Sequence, residues 1–170
     1  EPERIASAVG GGARVAIAMA TFDPNPELFR DQVESIRAQS MDDWICLVSD
    51  DCTPPQTFER MRSVLEGDRR FVLSRSDRRL GFYRNFERCL SLVPPEAAFV
   101  AFSDQDDVWR AHKLEKLVDA CVKSGALLAF SDMTVVAPDG GVVSRSMFED
   151  RPNNYTDLAS LLLMNTVSGA

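Results

Sequence analysis

Short apolar runs alternate with segments of helical periodicity along most of the chain. The apolar runs are interpreted as strands, the first two of them buried, and cover residues 14–20, 44–49, 71–73, 98–102 and 127–130. Between them, apolar side chains recur at helical spacing, which predicts helices over residues 26–40, from 55 onward, 81–93 and 112–124. Strands that alternate with helices of about ten to fifteen residues form βαβ units. The pattern therefore predicts an α/β fold, with a mostly parallel sheet and helices on both of its faces.

Turn and cap residues mark several boundaries of these elements. Pro26 suits the first turn of the first helix, Pro94-Pro95 ends the third, and Gly125 suits the C-terminal cap of the fourth. The residues Pro138-Asp139-Gly140-Gly141 predict a hairpin over residues 135–143. Residues 155–164 are expected to be helical, and a last strand is expected to begin at Asn165.

Polar residues that directly follow the predicted strands are the candidates for a binding site. In parallel sheets, ligands bind in the crevice beyond the carboxyl ends of the strands. In this sequence those positions are Thr21-Phe22-Asp23, Asp50-Asp51 and Ser103 to Asp107. Several carboxylates are thereby expected at one edge of the sheet.

Carboxylates that crowd at one edge repel one another unless a positive charge lies among them. A hard divalent cation, Mn2+ or Mg2+, favours such oxygen ligands. In an extended segment Asp104 and Asp106 would point the same way, so that one holds the cation while the other reaches a ribose hydroxyl. The cation would bridge the phosphates of a nucleotide donor and neutralise charge on the leaving diphosphate.

The acidic segments allow other interpretations, since an Asp-x-Asp pair also arises as a turn former or helix cap. A calcium loop of the EF-hand type that begins at Asp104 fails, because it requires glycine where Trp109 stands. A phosphoacceptor site could use Asp50 or Asp51, although no lysine follows the predicted fifth strand. This last hypothesis stays open.

Composition narrows the choice of partners. With 170 residues, 45% of them hydrophobic, the chain can form one compact domain. Its net charge of −7 argues against a nucleic-acid groove.

The four cysteines form no CxxC pair, so Cys46 and Cys121 are expected to be small buried thiols and not zinc ligands. Reduced cysteines would suit the cytoplasm, so a cytoplasmic location is expected, including peripheral association with the inner face of the membrane. The sequence has no apolar run of about 18 residues, so no membrane span is expected.

Four segments in order resemble the inverting family 2 glycosyltransferases, which have the GT-A fold. Residues 15–23 look like the opening strand and nucleotide loop of that family, and residues 39–51 resemble its second strand, whose closing aspartate reads the base. Leu-Gly-Phe-Tyr-Arg-Asn at 80–85 resembles its Gly-x-x-x-Arg-Asn segment. Ser-Asp-Gln-Asp-Asp-Val-Trp at 103–109 resembles its DxD metal motif, in the form common among rhamnosyl- and other cell-envelope sugar transferases.

The resemblance implies a single Rossmann-like GT-A domain and a role for each matching residue. Nucleotide-sugar contacts are implied for six residues: Ala20, Thr21, Phe22, Asp51, Arg84 and Asp104. Among them, Asp51 would contact the base, Arg84 would lie near the base or the phosphates, and Asp104 would lie at the ribose or the metal. Asp106 would be the principal ligand of Mn2+ or Mg2+. From the residues alone, Phe22 could equally fill the sheet edge and Arg84 could equally be a solvated arginine.

The implied partners are a nucleotide-diphosphate sugar donor and a glycan or lipid-linked acceptor, with no nucleic acid. In the family, the catalytic base follows the strand that would begin at Asn165, so no base is expected within this chain. Residues 1–13 are expected to be a linker or tail, and residues 14–170 a fragment of the GT-A domain that is truncated before the acceptor half. A non-catalytic nucleotide-binding module remains an alternative.

Overall fold

The structure is a computed structural model that describes residues 14–148 together with Ala159. Apart from Ala159, the helix expected over 155–164 lies outside the described residues, as does the strand expected at Asn165. The chain divides into two compact units, Glu1–Lys116 and Leu117–Ala170. The first unit contains every candidate site residue.

A four-stranded parallel sheet forms the centre of the first unit. Its strands lie in the order β3-β2-β1-β4. Their bounds are β1 (Val15–Thr21), β2 (Trp44–Asp50), β3 (Phe71–Arg75) and β4 (Phe99–Ser103). The prediction of a parallel sheet is confirmed. Each of these strands pairs with β1 or β2, so four of the apolar runs complete one another's hydrogen-bond ladder.

Four helices alternate with the strands, again as predicted. They are α1 (Pro26–Arg37), α2 (Pro55–Leu65), α3 (Phe82–Ser91) and α4 (Lys113–Ser124). Asn25 caps α1, because its Oδ1 accepts the N–H groups of Glu27 and Leu28 at 2.9 and 3.3 Å. At the end of α4, Gly125 has a φ of 70° and donates its N–H to the carbonyl of Cys121 at 2.9 Å.

Helices cover both faces of the sheet. On one face, Cys89 of α3 packs with Ala16, Ala18, Ile45 and Leu47 in a buried cluster. The opposite face carries Val15, Ile17 and Met19, which are at most 1% exposed. On that face, Gln32 of α1 donates to Ser103 at the end of β4 at 2.6 Å. Burial on both faces explains why β1 and β2 are continuous apolar runs without alternation.

The second unit departs from the prediction in one element. Residues 127–130 do not form a strand, and Leu127 is 104% exposed. A short apolar run is a strand only if a neighbour completes its ladder, and no strand among the described residues pairs with this one. The predicted hairpin is confirmed, since β5 (Val135–Val136) pairs antiparallel with β6 (Val142–Ser144) around Gly140.

Within the described residues, no helix has both the length and the hydropathy that a membrane crossing requires.

The cysteines fall into two classes. Cys46 and Cys89 are buried, whereas Cys52 and Cys121 are half-buried. The expectation of a buried Cys121 is therefore wrong, because burial of the apolar face of α4 fades near its end, where Val122 is 58% exposed. Burial raises the pKa of the Cys89 thiol to about 12 and that of Cys46 well above its ordinary value.

We expect Cys52 and Cys121 to react with iodoacetamide at pH 8 much faster than Cys46 and Cys89, because only a thiolate attacks the reagent. Mass spectrometry of tryptic peptides after timed alkylation measures this order. Alkylation in urea is the control, in which all four cysteines should react at similar rates. Fast labelling of Cys89 in the native protein would contradict the burial described for this thiol.

Candidate functional site

A cleft of about 210 Å³ lies at the carboxyl ends of β1 and β4. Eight residues line it: Ala20, Thr21, Phe22, Phe82, Asn85, Asp104, Gln105 and Asp106. The cleft therefore brings together the predicted positions after β1 with both aspartates of the predicted metal pair. Asp51 and Arg84, which the sequence also indicates, do not line it.

The register of the sheet explains why these residues meet. Met19 of β1 pairs with Ser103, the last residue of β4. The chain therefore leaves β4 level with Ala20, and Asp104 follows beside the end of β1. Both strands run in the same direction, so their loops open on the same edge of the sheet.

The loop after β4 is strongly acidic and partly buried. Burial raises the pKa of Asp104, and the charge of Asp106 raises it further. Burial also raises the pKa of Asp107, as do the charges of Asp104 and Asp106. The opposing charge is the Lys113 ammonium, whose own pKa burial lowers to about 8. The three carboxylates are thus close enough to repel one another, with little to compensate them.

This donor set suits a hard divalent cation that retains other ligands. Oδ2 of Asp107 is buried and has no hydrogen-bond partner among the described residues. Within residues 14–148, no three His, Cys, Asp or Glu side chains converge in an arrangement that could hold a metal ion. The acidic loop therefore does not resemble a metal site in which every ligand comes from the protein. Beside a nucleotide, Mg2+ is usually bound by one or two carboxylates, and phosphate and water oxygens complete its coordination.

Asp51 holds the loop that precedes α3. It is 2% exposed, and its two carboxylate oxygens accept the N–H groups of Leu80 and Gly81 at 2.5 and 2.9 Å. Gly81 has a φ of 85°, a conformation that favours glycine. The contact with a base that the resemblance implies for Asp51 stays a prediction.

Asp50, which precedes it, is fully buried at the end of β2. Its Oδ2 accepts the N–H of Thr53 at 3.1 Å and lies 3.5 Å from Nε of Arg75. Burial raises the pKa of Asp50, and the hydrogen bonds from Thr53 oppose this rise. A phosphoacceptor carboxylate must present an oxygen to an incoming phosphodonor. Neither Asp50 nor Asp51 does so, which argues against the phosphoacceptor hypothesis.

Arg84 and Asn85 are adjacent on α3 but face different surroundings. Arg84 is exposed, whereas Asn85 is 2% exposed. Asn85 donates to the carbonyls of Thr21 and Ser49 at 3.2 and 2.8 Å, and it accepts the Ser49 hydroxyl at 2.7 Å. It therefore joins the ends of β1 and β2 to the start of α3 beneath the cleft. Asn85 belongs to the segment that resembles Gly-x-x-x-Arg-Asn, but no role was predicted for it from the sequence.

Phe22 is held from two sides. Its N–H donates to Oε1 of Gln105 at 2.8 Å, and Nε2 of Gln105 donates to its carbonyl at 3.4 Å. The guanidinium carbon of Arg79 lies 3.7 Å from the centroid of the Phe22 ring. Neither Gln105 nor Arg79 was predicted as a site residue. The only sequence signal for Gln105 was its position between the two aspartates.

Comparison with known proteins gives the family. The model of "Glycosyl transferase family 2" matches residues 17–167. The chain belongs to glycosyl transferase family 2.

Relatives within or near this family include proteins named for polysaccharide biosynthesis. The chain is 25% identical over 143 residues to TuaG of Bacillus subtilis (strain 168), named as a teichuronic acid biosynthesis glycosyltransferase; the match covers 84% of this chain and 54% of TuaG. It is 29% identical over 99 residues to the succinoglycan biosynthesis protein ExoW of Rhizobium meliloti (strain 1021), covering 57% of this chain and 30% of ExoW. The chain thus spans about half of the length of TuaG and about a third of the length of ExoW.

Solved structures show the same fold at low identity. A mannosyltransferase from Pyrobaculum calidifontis in complex with GDP-Man and Mn2+ has a TM-score of 0.54 and 19% identity, covering 74% of this chain and 36% of that one. Residues 1–349 of TarS from S. aureus, in complex with UDP-GlcNAc, give a TM-score of 0.57 and 18% identity, covering 65% and 31%. The GT-A fold implied by the sequence is therefore confirmed.

Within this family 2 chain, we expect Asn85→Leu to lower the free energy of unfolding by about 2–3 kcal/mol, because three hydrogen bonds of a buried amide are lost. Urea unfolding followed by circular dichroism measures the change. Glu87→Ala, on an exposed position of the same helix, is the control and should change stability by less than about 0.5 kcal/mol. Equal stability of the two variants would show that Asn85 does not carry this junction.

Proposed function

We propose that this chain is the donor-binding part of a metal-dependent glycosyltransferase, which transfers a sugar from a nucleoside diphosphate donor to a cell-envelope polysaccharide or its lipid-linked precursor with inversion. The observation that carries the proposal is the cleft itself. One of its walls is the Phe22 loop and the other is the acidic loop with Asp104 and Asp106. A diphosphate needs a cation in order to lie beside carboxylates, so the two walls suit a nucleotide and a metal together.

Each wall has a separate task in this proposal. Ala20, Thr21 and Phe22 would contact the nucleoside, and the Phe22 ring offers its face to a base. Asp106 would be the principal ligand of Mn2+ or Mg2+, with Asp104 at the ribose or the metal. When bound, the cation would stabilise the charge that grows on the leaving diphosphate.

Two further residues would act from the α3 side. Asp51 is assigned to the base, a contact for which its carboxylate would exchange a hydrogen bond from Leu80 or Gly81 for one from the base; with both bonds in place it would position the start of α3. Arg84 would reach the base or the phosphates, since it is exposed in the first turn of α3. An arginine near a helix N-terminus is well suited to an anion.

The acceptor part of the proposal draws on the relatives. TuaG and ExoW are named for teichuronic acid and succinoglycan biosynthesis, which favours a cell-envelope or extracellular polysaccharide as the acceptor class. Residues 14–170 would form the donor-binding portion, with residues 1–13 as a linker or tail. We assign no catalytic base to this chain, and the sugar, rhamnose or another, is left open.

We expect a nucleoside diphosphate to stabilise the chain only when Mn2+ or Mg2+ is present, and Asp106→Asn to abolish this effect because it removes a ligand charge. At a ligand concentration of about 100 times the dissociation constant, binding stabilises a protein by about 2.7 kcal/mol. Thermal unfolding with UDP or GDP, with and without Mn2+, measures the effect. Asp31→Asn, on an exposed position of α1, is the matched control. A metal-dependent shift that survives in Asp106→Asn would contradict the assignment of the metal ligand.

We expect Arg84→Ala to weaken nucleoside diphosphate binding by roughly tenfold or more, since a charged hydrogen bond contributes about 1.5–3 kcal/mol. Arg84→Lys should recover part of the affinity because it keeps the charge without the planar guanidinium. Isothermal titration calorimetry in the presence of Mn2+ measures both. Arg30→Ala, on an exposed position of α1, should bind like the wild type. If Arg84→Ala does so too, Arg84 is only a solvated arginine.

A further inference from the structure

Among residues 14–148, one side chain, that of Gln105, forms hydrogen bonds between the two walls of the cleft. Gln105 lies between Asp104 and Asp106 in the acidic loop, and its amide pairs with both backbone groups of Phe22, a residue 83 positions away in the chain. Both residues line the cleft. A shift of the acidic loop would therefore move Phe22 through this one pair of hydrogen bonds.

The orientation of this amide is determined by its partner. A backbone N–H can only donate and a carbonyl can only accept, so Oε1 of Gln105 must face the N–H of Phe22 and Nε2 must face its carbonyl. The Gln105 amide thus pairs with Phe22 as the backbone of a neighbouring strand would, by one accepted and one donated hydrogen bond. It stands where the β1–β4 ladder has stopped, since β4 ends at Ser103 and β1 at Thr21. The side chain of Gln105 therefore replaces the missing strand partner of Phe22 directly beyond the end of the sheet, at the cleft.

The Phe22 loop has few other connections that could fix its distance from the acidic loop. Asp23 donates its N–H to the hydroxyl of Thr53 at 2.8 Å, which ties the loop toward β2 and away from the aspartates. Arg79 covers one face of the Phe22 ring and also comes from the β3 side of the sheet. Among these contacts, only those of Gln105 run from Phe22 to the acidic loop.

We propose that Gln105 is a positioning residue that couples nucleotide binding at Phe22 to cation binding at Asp104 and Asp106. The inference rests on the function proposed above and deepens it. A cation that orders the acidic loop would hold the Gln105 amide in place, and the amide would hold Phe22 where a base can lie against it. The same contact works in reverse, since coupling between two sites is reciprocal.

The test measures coupling and not affinity alone. Isothermal titration calorimetry on the full chain gives the dissociation constant of UDP, and separately of GDP, with and without Mn2+. The ratio of the two constants for a nucleotide is the coupling factor. Gln105→Met keeps the length of the side chain and removes both hydrogen bonds. We expect it to lower the coupling factor by about fivefold or more, while the affinity for Mn2+ alone changes less than about twofold because both aspartates remain.

Two further variants keep the result interpretable. Gln105→Asn retains an amide but is one methylene too short to span the distance, so it should lose coupling as Gln105→Met does. It reports on the same contact if the methionine variant folds poorly by circular dichroism. Gln56→Met, on an exposed position of α2, is the matched control and should keep the wild-type coupling factor.

The possible outcomes distinguish failure of the proposed function from failure of the role proposed for Gln105. If the wild type binds neither nucleotide in a metal-dependent way, the proposed function fails and the role of Gln105 fails with it. If the wild type shows coupling and both Gln105 variants retain it, only the role of Gln105 is overturned. If the variants lose Mn2+ binding to the same extent as nucleotide binding, Gln105 merely supports the acidic loop, and the coupling role is likewise overturned.

Discussion

Backbone groups lose their ladder partners where parallel strands end, and this constraint organises the edge of the sheet at which the cleft opens. A buried carbonyl or N–H without a partner costs about 1–3 kcal/mol, so side chains from other elements must take the place of the ladder. Gln105 does so for both groups of Phe22 and Asp51 does so for two N–H groups of the loop before α3, while Asn85 adds a further hydrogen bond to the carbonyls of Thr21 and Ser49. Because these side chains come from α3, the acidic loop and the position directly after β2, satisfying the backbone also brings three separate segments together. The polar network that completes the fold is therefore the framework of the site.

The acidic loop presents the opposite situation, because its charges are not satisfied by the fold. Burial and mutual repulsion raise the pKa of Asp104 and Asp107, and the compensating charge is a lysine whose own pKa is lowered. Such an arrangement costs stability in the protein alone, since burial and like charges both penalise the ionised form. Local conflicts of this kind are typical of functional sites, where a ligand supplies what the fold does not. A divalent cation with a diphosphate would supply it here. Asn85, Asp51 and Gln105 have hydrogen-bond partners without a ligand, whereas the acidic loop lacks a balancing charge, and this difference favours the loop as the binding wall.

The sequence predicted the first unit well because its signals are local. Continuous apolar runs identify the strands, of which β1 and β2 are buried on both faces, and Pro26 and the helical spacing identify the helices between them. The direction of parallel strands then placed Phe22 and Asp104 at one edge before any contact was known. The prediction of a strand over residues 127–130 was wrong because a run of apolar residues carries no information about whether a neighbouring strand exists. Gln105, Asn85 and Arg79 were missed as site residues for a related reason. Their roles are contacts with residues far away in the chain, and hydrogen-bond pairing of this kind leaves no period or composition to detect.

The pair Arg84-Asn85 shows how far resemblance to a family can guide the assignment of roles. The motif directs attention to arginine, since a charged residue near a phosphate is the obvious chemistry. On a helix, however, adjacent residues point about 100° apart, so only one of the two can face the sheet while the other faces solvent. In this structure the inward residue is asparagine, a side chain that can donate to two carbonyls and accept a hydroxyl at once, and the outward residue is arginine. An arginine at the inward position would find carbonyls but bring an unpaired charge beneath the cleft. The order of the two residues is thus required by packing, and it leaves the arginine at the surface, where a ligand anion would meet it.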